Sequence, residues 1–248
     1  MASPCSFPTH DAIESIRETG AYIVKDALTG ERVARFDRSL PFKTPEGLEF
    51  CAENSLYNKD IRTVVESSVD RPHWGFAKIY RGGVLSSDQV YFFIDGPDVQ
   101  VIFVLLWAPE SQFILFEGSH SQEVQGKEMS DFGILTLPRD QMNTRKGVTK
   151  VLVDMTEGGF ALIDGRVGWT ILKGSQIAVG YPSETEVSHW GKMRLGESTI
   201  LRQKVKELND RGIKTNFIFC HGENLEARKR LYCCTRSSRL PRTRRHTI

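Results

Sequence analysis

The chain has 248 residues, 40% of them hydrophobic, with a formal net charge of +2; that is enough for one large β-rich domain or two small ones around an ordinary apolar core. No acid follows Glu226, whereas Arg228, Lys229, Arg230, Arg236, Arg239, Arg242, Arg244 and Arg245 supply eight positive charges, so removing these from +2 leaves −6 for the body. A mildly acidic body lacks the footprint of a nucleic-acid binder, and no run approaches the ~18 apolar residues of a membrane span.

The N-terminus, Met1-Ala2-Ser3-Pro4-Cys5, has neither the basic start nor the apolar core of a signal peptide. Residues Asp11 to Thr19 read as a helix: Asp11 caps it, Glu14 follows three residues later, Ile13 and Ile16 share a face, and Gly20 stops it. Ala21 to Val24 is a short strand, and Thr29 caps a second helix from Glu31 to Arg38. Pro41, Pro45 and Gly47 act as breakers, so Pro41 to Asn58 reads as irregular. Lys59 to Ser67 suits a short helix, Arg71 to Gly75 a turn, and Gly75 to Tyr80 a strand.

From Val90 to Tyr181 the pattern is nearly all β. Short apolar runs recur at Val90–Ile94, Val99–Trp107, Phe113–Phe116, Phe132–Leu137, Val148–Asp154, Gly159–Asp164 and Ser175–Tyr181, punctuated by Gly, Pro and Asn. Short strands at fairly even spacing predict a sandwich or barrel, not a βαβ sheet. Ser198 caps a helix running to Arg211, with Leu201, Val205 and Leu208 on one face and Gly212 after it. Asn216 to Phe219 reads as one more strand. The organisation predicted is a single domain over residues 1–225 and a basic, flexible tail over 226–248, read as a solvated end. Cys5, Cys51, Cys220, Cys233 and Cys234 are odd in number and fit no zinc spacing, which points to reduced thiols in a cytoplasmic protein.

Several motifs then line up. Asp95-Gly96-Pro97 with the apolar strand after it, Glu117-Gly118-Ser119-His120, and Asp164-Gly165-Arg166 resemble the phytanoyl-CoA dioxygenase family, as does the opening helix with Gly20 to Leu28. The similarity covers roughly Asp11 to Tyr181. It implies a mainly β fold with flanking helices, a double-stranded β-helix of the jelly-roll or cupin-like kind. It also implies chemistry with Fe(II) and 2-oxoglutarate, which needs two histidines and one carboxylate on one face of the iron.

The family places a histidine two residues before the aspartate, where this chain has Phe93, and another three residues after the Asp-Gly-Arg arginine, where it has Trp169. An arginine that clamps 2-oxoglutarate has no counterpart in Gln176 to Ser183. The resemblance therefore implies no metal and no cofactor, with a relocated Fe(II)/2-oxoglutarate site built from His10, His73, His189 or His221 as the alternative. His120 matches a residue beside the family's pocket, not an iron ligand.

The expectation for the barrel mouth is that Phe93, Asp95, Trp107, His120, Arg166 and Trp169 lie near one another. The bland reading makes the aromatics core, Asp95 a turn carboxylate and Asp164–Arg166 a local ion pair. The functional reading makes Asp95 and His120 a proton-handling pair helped by Arg166, with Tyr91, Phe93, Trp107 and Trp169 walling an apolar cavity. The enzyme expected is a metal-independent isomerase or cyclase acting on a small apolar secondary metabolite. A ligand-binding pseudoenzyme and an oxygenase with displaced ligands are the alternatives. A homodimer is compatible with the sequence and not required by it.

Overall fold

The computed structural model describes residues 6–39, 42–130 and 133–220. The described chain opens with α1 (Thr9–Glu18), β1 (Ala21–Lys25), α2 (Ala27–Ser39), α3 (Pro45–Glu53) and α4 (Lys59–Ser68). Helix α1 begins two residues before the expected Asp11, after Pro8 and with no side-chain cap. Gly20 follows it with φ +93, where a Cβ would strike Val167 and His120. Helix α2 is longer than expected because Asp26, not Thr29, caps it: Asp26 Oδ2 accepts from Thr29 N at 3.0 Å and from the Thr29 hydroxyl. Gly30 lies inside that helix because a Cβ there would strike the backbone of Glu157 and Gly158. The stretch read as irregular holds α3. Thr44 accepts from Gly47 N and Pro45 sits at the first helical position, where its missing N–H costs nothing.

The β-rich part runs β2 (His73–Trp74), β3 (Phe76–Arg81), β4 (Gln89–Phe92), β5 (Val101–Trp107), β6 (Ser111–Glu117), β7 (Glu128–Met129) and β8 (Leu135–Pro138). It continues through α5 (Arg139–Asn143), β9 (Thr149–Met155), β10 (Gly159–Asp164), β11 (Gly168–Lys173) and β12 (Ser175–Pro182). The close of the described chain is α6 (Glu184–Val187), β13 (Met193–Gly196), α7 (Thr199–Asp210), β14 (Lys214–Thr215) and β15 (Phe217–Cys220). The expected turn at Arg71–Gly75 contains β2, which pairs in parallel with β14. Strand β11 is a further addition to the expected elements: it follows Asp164-Gly165-Arg166 directly and carries Trp169. Phe132, expected in a strand, and the tail from residue 221 lie outside the described residues.

Two antiparallel sheets face each other. One has the order β1-β10-β5-β12-β3, the other β7-β8-β4-β11-β6-β9. Taken in chain order, the eight long central strands β3, β4, β5, β6, β9, β10, β11 and β12 give β3-β12-β5-β10 in one sheet and β4-β11-β6-β9 in the other. Successive members of this set alternate between the layers except for β6 and β9, which share a sheet and are joined through β7, β8 and α5; this is the double-stranded β-helix arrangement. The sheets form an open sandwich, not a closed barrel.

Side-chain alternation separates three cores. On β5, Ile102, Val104 and Leu106 face the helices, while Val101, Phe103, Leu105 and Trp107 face the opposite sheet. On β6, Phe113 and Leu115 enter the sandwich, and Ile114 and Phe116 pack outside with Val124, Leu137 and Met142. Among the described residues no helix is long and apolar enough to cross a membrane.

Candidate functional site

One end of the sandwich gathers the loops that carry the sequence motifs. Phe93 N and Ile94 N both donate to Gly165 O at 3.0 Å, which ties the end of β4 to the β10–β11 turn. Gly168 N donates to Ser119 Oγ at 2.9 Å, and Gly118 N to Thr19 O at 3.0 Å. Phe93, Asp95, His120, Arg166 and Trp169 therefore belong to this end. Trp107 does not. It closes β5 opposite Gln176 and Gly159, six residues beyond Val101, roughly 20 Å along an extended strand. The expectation that Trp107 shares the mouth is corrected: it stacks on Phe113 at 4.1 Å at the far end.

At the mouth, Phe93 lies on Phe103 with ring centroids 3.7 Å apart and on Trp169 at 5.2 Å. Tyr91 and Tyr80 flank Trp169 at 5.5 and 5.6 Å. The opposite wall makes room for this stack, because a Cβ on Gly180 of β12 would lie 2.6 Å from Phe103. Aromatic rings therefore occupy the interior at both positions where the resembled family would need imidazoles.

Asp95 does not join them. The double hydrogen bond to Gly165 O breaks the strand alternation, and Phe93 and Ile94 both enter the sandwich core. Beyond that bend the Asp95 carboxylate accepts from Lys127 Nζ at 2.8 Å. The same ammonium lies 4.4 Å from the centre of the Phe92 ring, and Phe92 packs on the outer face of its sheet. The Lys127 side chain is only 5% exposed and that of Asp95 41%. Nothing in the sequence marked Lys127, which stands in a polar stretch without periodicity.

His120 is 6% exposed in a single 3-10 turn, Ser119–Ser121. Its Nε2 lies 3.1 Å from Arg17 O, to which it donates. Nδ1 has no hydrogen-bond partner and faces Gly20. No hydrogen bond joins His120 to Asp95, and the expected contact between the two is corrected: each is held by a different neighbour. Arg166 is likewise committed. Its Nη2 donates to Asp164 Oδ2 at 2.6 Å, its Nε to both carboxylate oxygens, and its Nη1 to Pro97 O.

These residues do not fit an iron centre. Phe and Trp supply no ligand, the Asp95 oxygen is engaged by an ammonium, and β12 carries no arginine. Among the described residues, no three His, Cys, Asp or Glu side chains lie close enough together to hold a metal ion. Deeper in the sandwich, Gln176 is fully buried with neither amide atom hydrogen-bonded, and the Trp107 and Trp169 indole nitrogens are also unpartnered. Period-two alternation in Gln176-Ile177-Ala178-Val179-Gly180 was the available signal that Gln176 faces inward.

No family model matches the chain, and no curated protein matches it. Among solved structures it is similar to apo HygX from Streptomyces hygroscopicus, at 12% identity over 79% of this chain and 94% of that one, TM-score 0.49. It is also similar to the epimerase SnoN in complex with Fe3+, alpha ketoglutarate and nogalamycin RO, at 12% identity over 71% and 84% of the two chains, TM-score 0.49. The nickel complex of the non-heme monooxygenase ThoJ matches at 13% identity over 70% and 77%, TM-score 0.40. The likeness concerns the fold, which the strand order already defines.

Proposed function

We propose that the chain is a metal-independent binding protein on a phytanoyl-CoA dioxygenase-like scaffold, taking a small, mostly apolar organic molecule and not oxidising it. The observation that carries this reading is the ring stack of Phe93 on Phe103 and Trp169, where iron-binding side chains would stand, with Asp95 turned away onto Lys127. An aromatic interior with an unpaired polar atom is the usual composition of a small-molecule site, and the Trp169 indole nitrogen supplies that atom beside Phe93. Tyr91 and Phe93 complete the wall.

The test is anaerobic titration of the purified protein with Fe(II) and 2-oxoglutarate, beside tryptophan fluorescence against a panel of apolar aromatic and terpenoid compounds. The reading expects no visible charge-transfer band and a saturable fluorescence change with some of the compounds. Stoichiometric iron uptake with a 2-oxoglutarate-dependent band would sink it.

A catalytic version of the same reading is isomerisation or cyclisation of the bound molecule without a metal. In its favour, His120 keeps an unpartnered Nδ1 at the same end as Asp95 and Arg166. His120 and Asp95 would then handle protons, and Arg166 would act electrostatically through its field. Product formed by EDTA-treated protein, and lost in His120→Asn, would favour the catalytic version over simple binding.

A further inference from the structure

Strand β9 is the last strand of its sheet, and among the described residues its one neighbour is β6. The outer side of such a strand presents backbone N–H and C=O groups with no partner strand. Its sequence is Thr149-Lys150-Val151-Leu152-Val153-Asp154-Met155. Val153 and Met155 enter the sandwich, so Lys150, Leu152 and Asp154 share the outer face, and all three are exposed. Leu152 is 61% exposed and stands beside the buried Ile114 of β6.

The order of those three residues is self-complementary. When the strand is laid antiparallel against a copy of itself about an axis through Leu152, Lys150 falls opposite the copy's Asp154, and Asp154 opposite the copy's Lys150. Leu152 meets Leu152, and Val151 falls opposite Val153. The Asp154 carboxylate is already held on the outer face, accepting from Thr156 Oγ1 at 3.0 Å and Gln112 Nε2 at 3.3 Å. The apolar row Ile114–Leu152 continues across the axis into the partner's matching row. A charge at Lys150 discourages pairing with arbitrary strands, while a cross-strand partner of opposite sign removes that penalty for this register alone.

We propose that β9 is the interface for a second copy of this chain, joining two six-stranded sheets edge to edge through antiparallel β9–β9 pairing centred on Leu152. A contact confined to one strand per copy is at the small end of protein interfaces, so the dimer is weak and concentration-dependent.

Sedimentation velocity and equilibrium on the full chain, from about 1 µM to about 500 µM, measure this association across the range expected for a small interface. Lys150→Asp sets Asp against Asp at two places in the symmetric dimer, and Asp154→Lys sets Lys against Lys. Each should weaken dimerisation about tenfold. The double variant Lys150→Asp/Asp154→Lys restores opposite charges in the same register and should return the dimer constant to near the wild-type value. Leu152→Asp should abolish the dimer while leaving the far-ultraviolet circular dichroism unchanged, because the position is solvent-facing. A chain that stays monomeric throughout the range, including one whose own C-terminal residues cover β9, overturns the proposal. So does a dimer indifferent to the single reversals, or one that the double reversal fails to restore.

Discussion

Phe93 lies flat against Phe103, with ring centroids 3.7 Å apart and planes 14° apart. The contact joins the end of β4 in one sheet to the middle of β5 in the other, and Gly180 keeps the space for it. Phe93 is therefore packed as core whatever else it does. Phe93→Ala should cost about 3–5 kcal/mol, the usual range for emptying a buried aromatic position, read as a lower urea midpoint at unchanged slope. Phe93→Leu, which keeps most of the volume, should cost less. A loss under about 1 kcal/mol for Phe93→Ala would mean that the ring is not packed as core.

Asp164 is 2% exposed and Arg166 9% exposed, and the guanidinium meets the carboxylate through three hydrogen bonds. Removing one member of a buried pair strands the other charge. Arg166→Ala should destabilise by about 3–5 kcal/mol, whereas the double variant Asp164→Asn/Arg166→Met should cost less than the sum of its single changes. Denaturant unfolding of the four proteins measures the coupling. Additive losses would indicate that the pair is solvated and energetically slack.

Burial pushes the Cys51 thiol and the Tyr181 hydroxyl well above their ordinary values of 9.0 and 10.0; the Ser55 hydroxyl beside Tyr181 offsets this only in part. Both groups stay protonated when folded but ionise once unfolded. The unfolded chain then binds fewer protons than the native one, and stability falls as pH rises. The contribution is fully present below about pH 9 and is lost progressively above it. Thermal midpoints should be level from pH 7 to pH 8.5 and decline toward pH 10.5. Cys51 should also resist alkylation at pH 8 until denaturant is added, with peptide mapping to separate it from Cys5, Cys220, Cys233 and Cys234.

Much of the architecture was legible because alternation and turn residues are local signals. The runs at Val99–Trp107 and Gly159–Asp164 announced β5 and β10, and the Ser198 cap announced α7. Helix α3 was hidden because Pro45 and Gly47 read as breakers, although a proline at the first helical position is a start signal when a Thr precedes it. Strand β11 was hidden by its short Gly-Trp-Thr-Ile pattern behind a Gly-containing turn. At the site, the identities of Phe93 and Trp169 were readable, and their neighbourhood followed from the strand order. The bend that turns Asp95 outward was not, because it depends on two donors sharing the Gly165 carbonyl across 70 residues of chain. Lys127 and the separate anchoring of His120 are likewise products of tertiary contact.

The Asp95–Lys127 contact bears directly on whether a metal centre can be built at this end of the sandwich. Phe93→His with Trp169→His places two imidazoles at this end of the sandwich, yet Asp95 would still face an ammonium 2.8 Å away whose side chain is 5% exposed. A cation approaching that carboxylate meets a like charge and must displace a charge-assisted hydrogen bond. The double variant should therefore bind Fe(II) or Ni(II) only weakly by calorimetry under anaerobic conditions. Adding Lys127→Ala removes that ammonium and should tighten binding by about 10–100-fold, the range seen when groups around metal ligands are altered. Circular dichroism on each protein separates loss of fold from loss of affinity. Lys127→Met in the otherwise wild-type chain keeps the aliphatic stem on Phe92, so it should unfold close to the wild-type midpoint. Asp95→Asn leaves the buried ammonium with a neutral partner and should cost about 1–3 kcal/mol. If the double histidine variant bound metal as tightly as the triple, the ammonium would not be what keeps Asp95 from serving as a ligand.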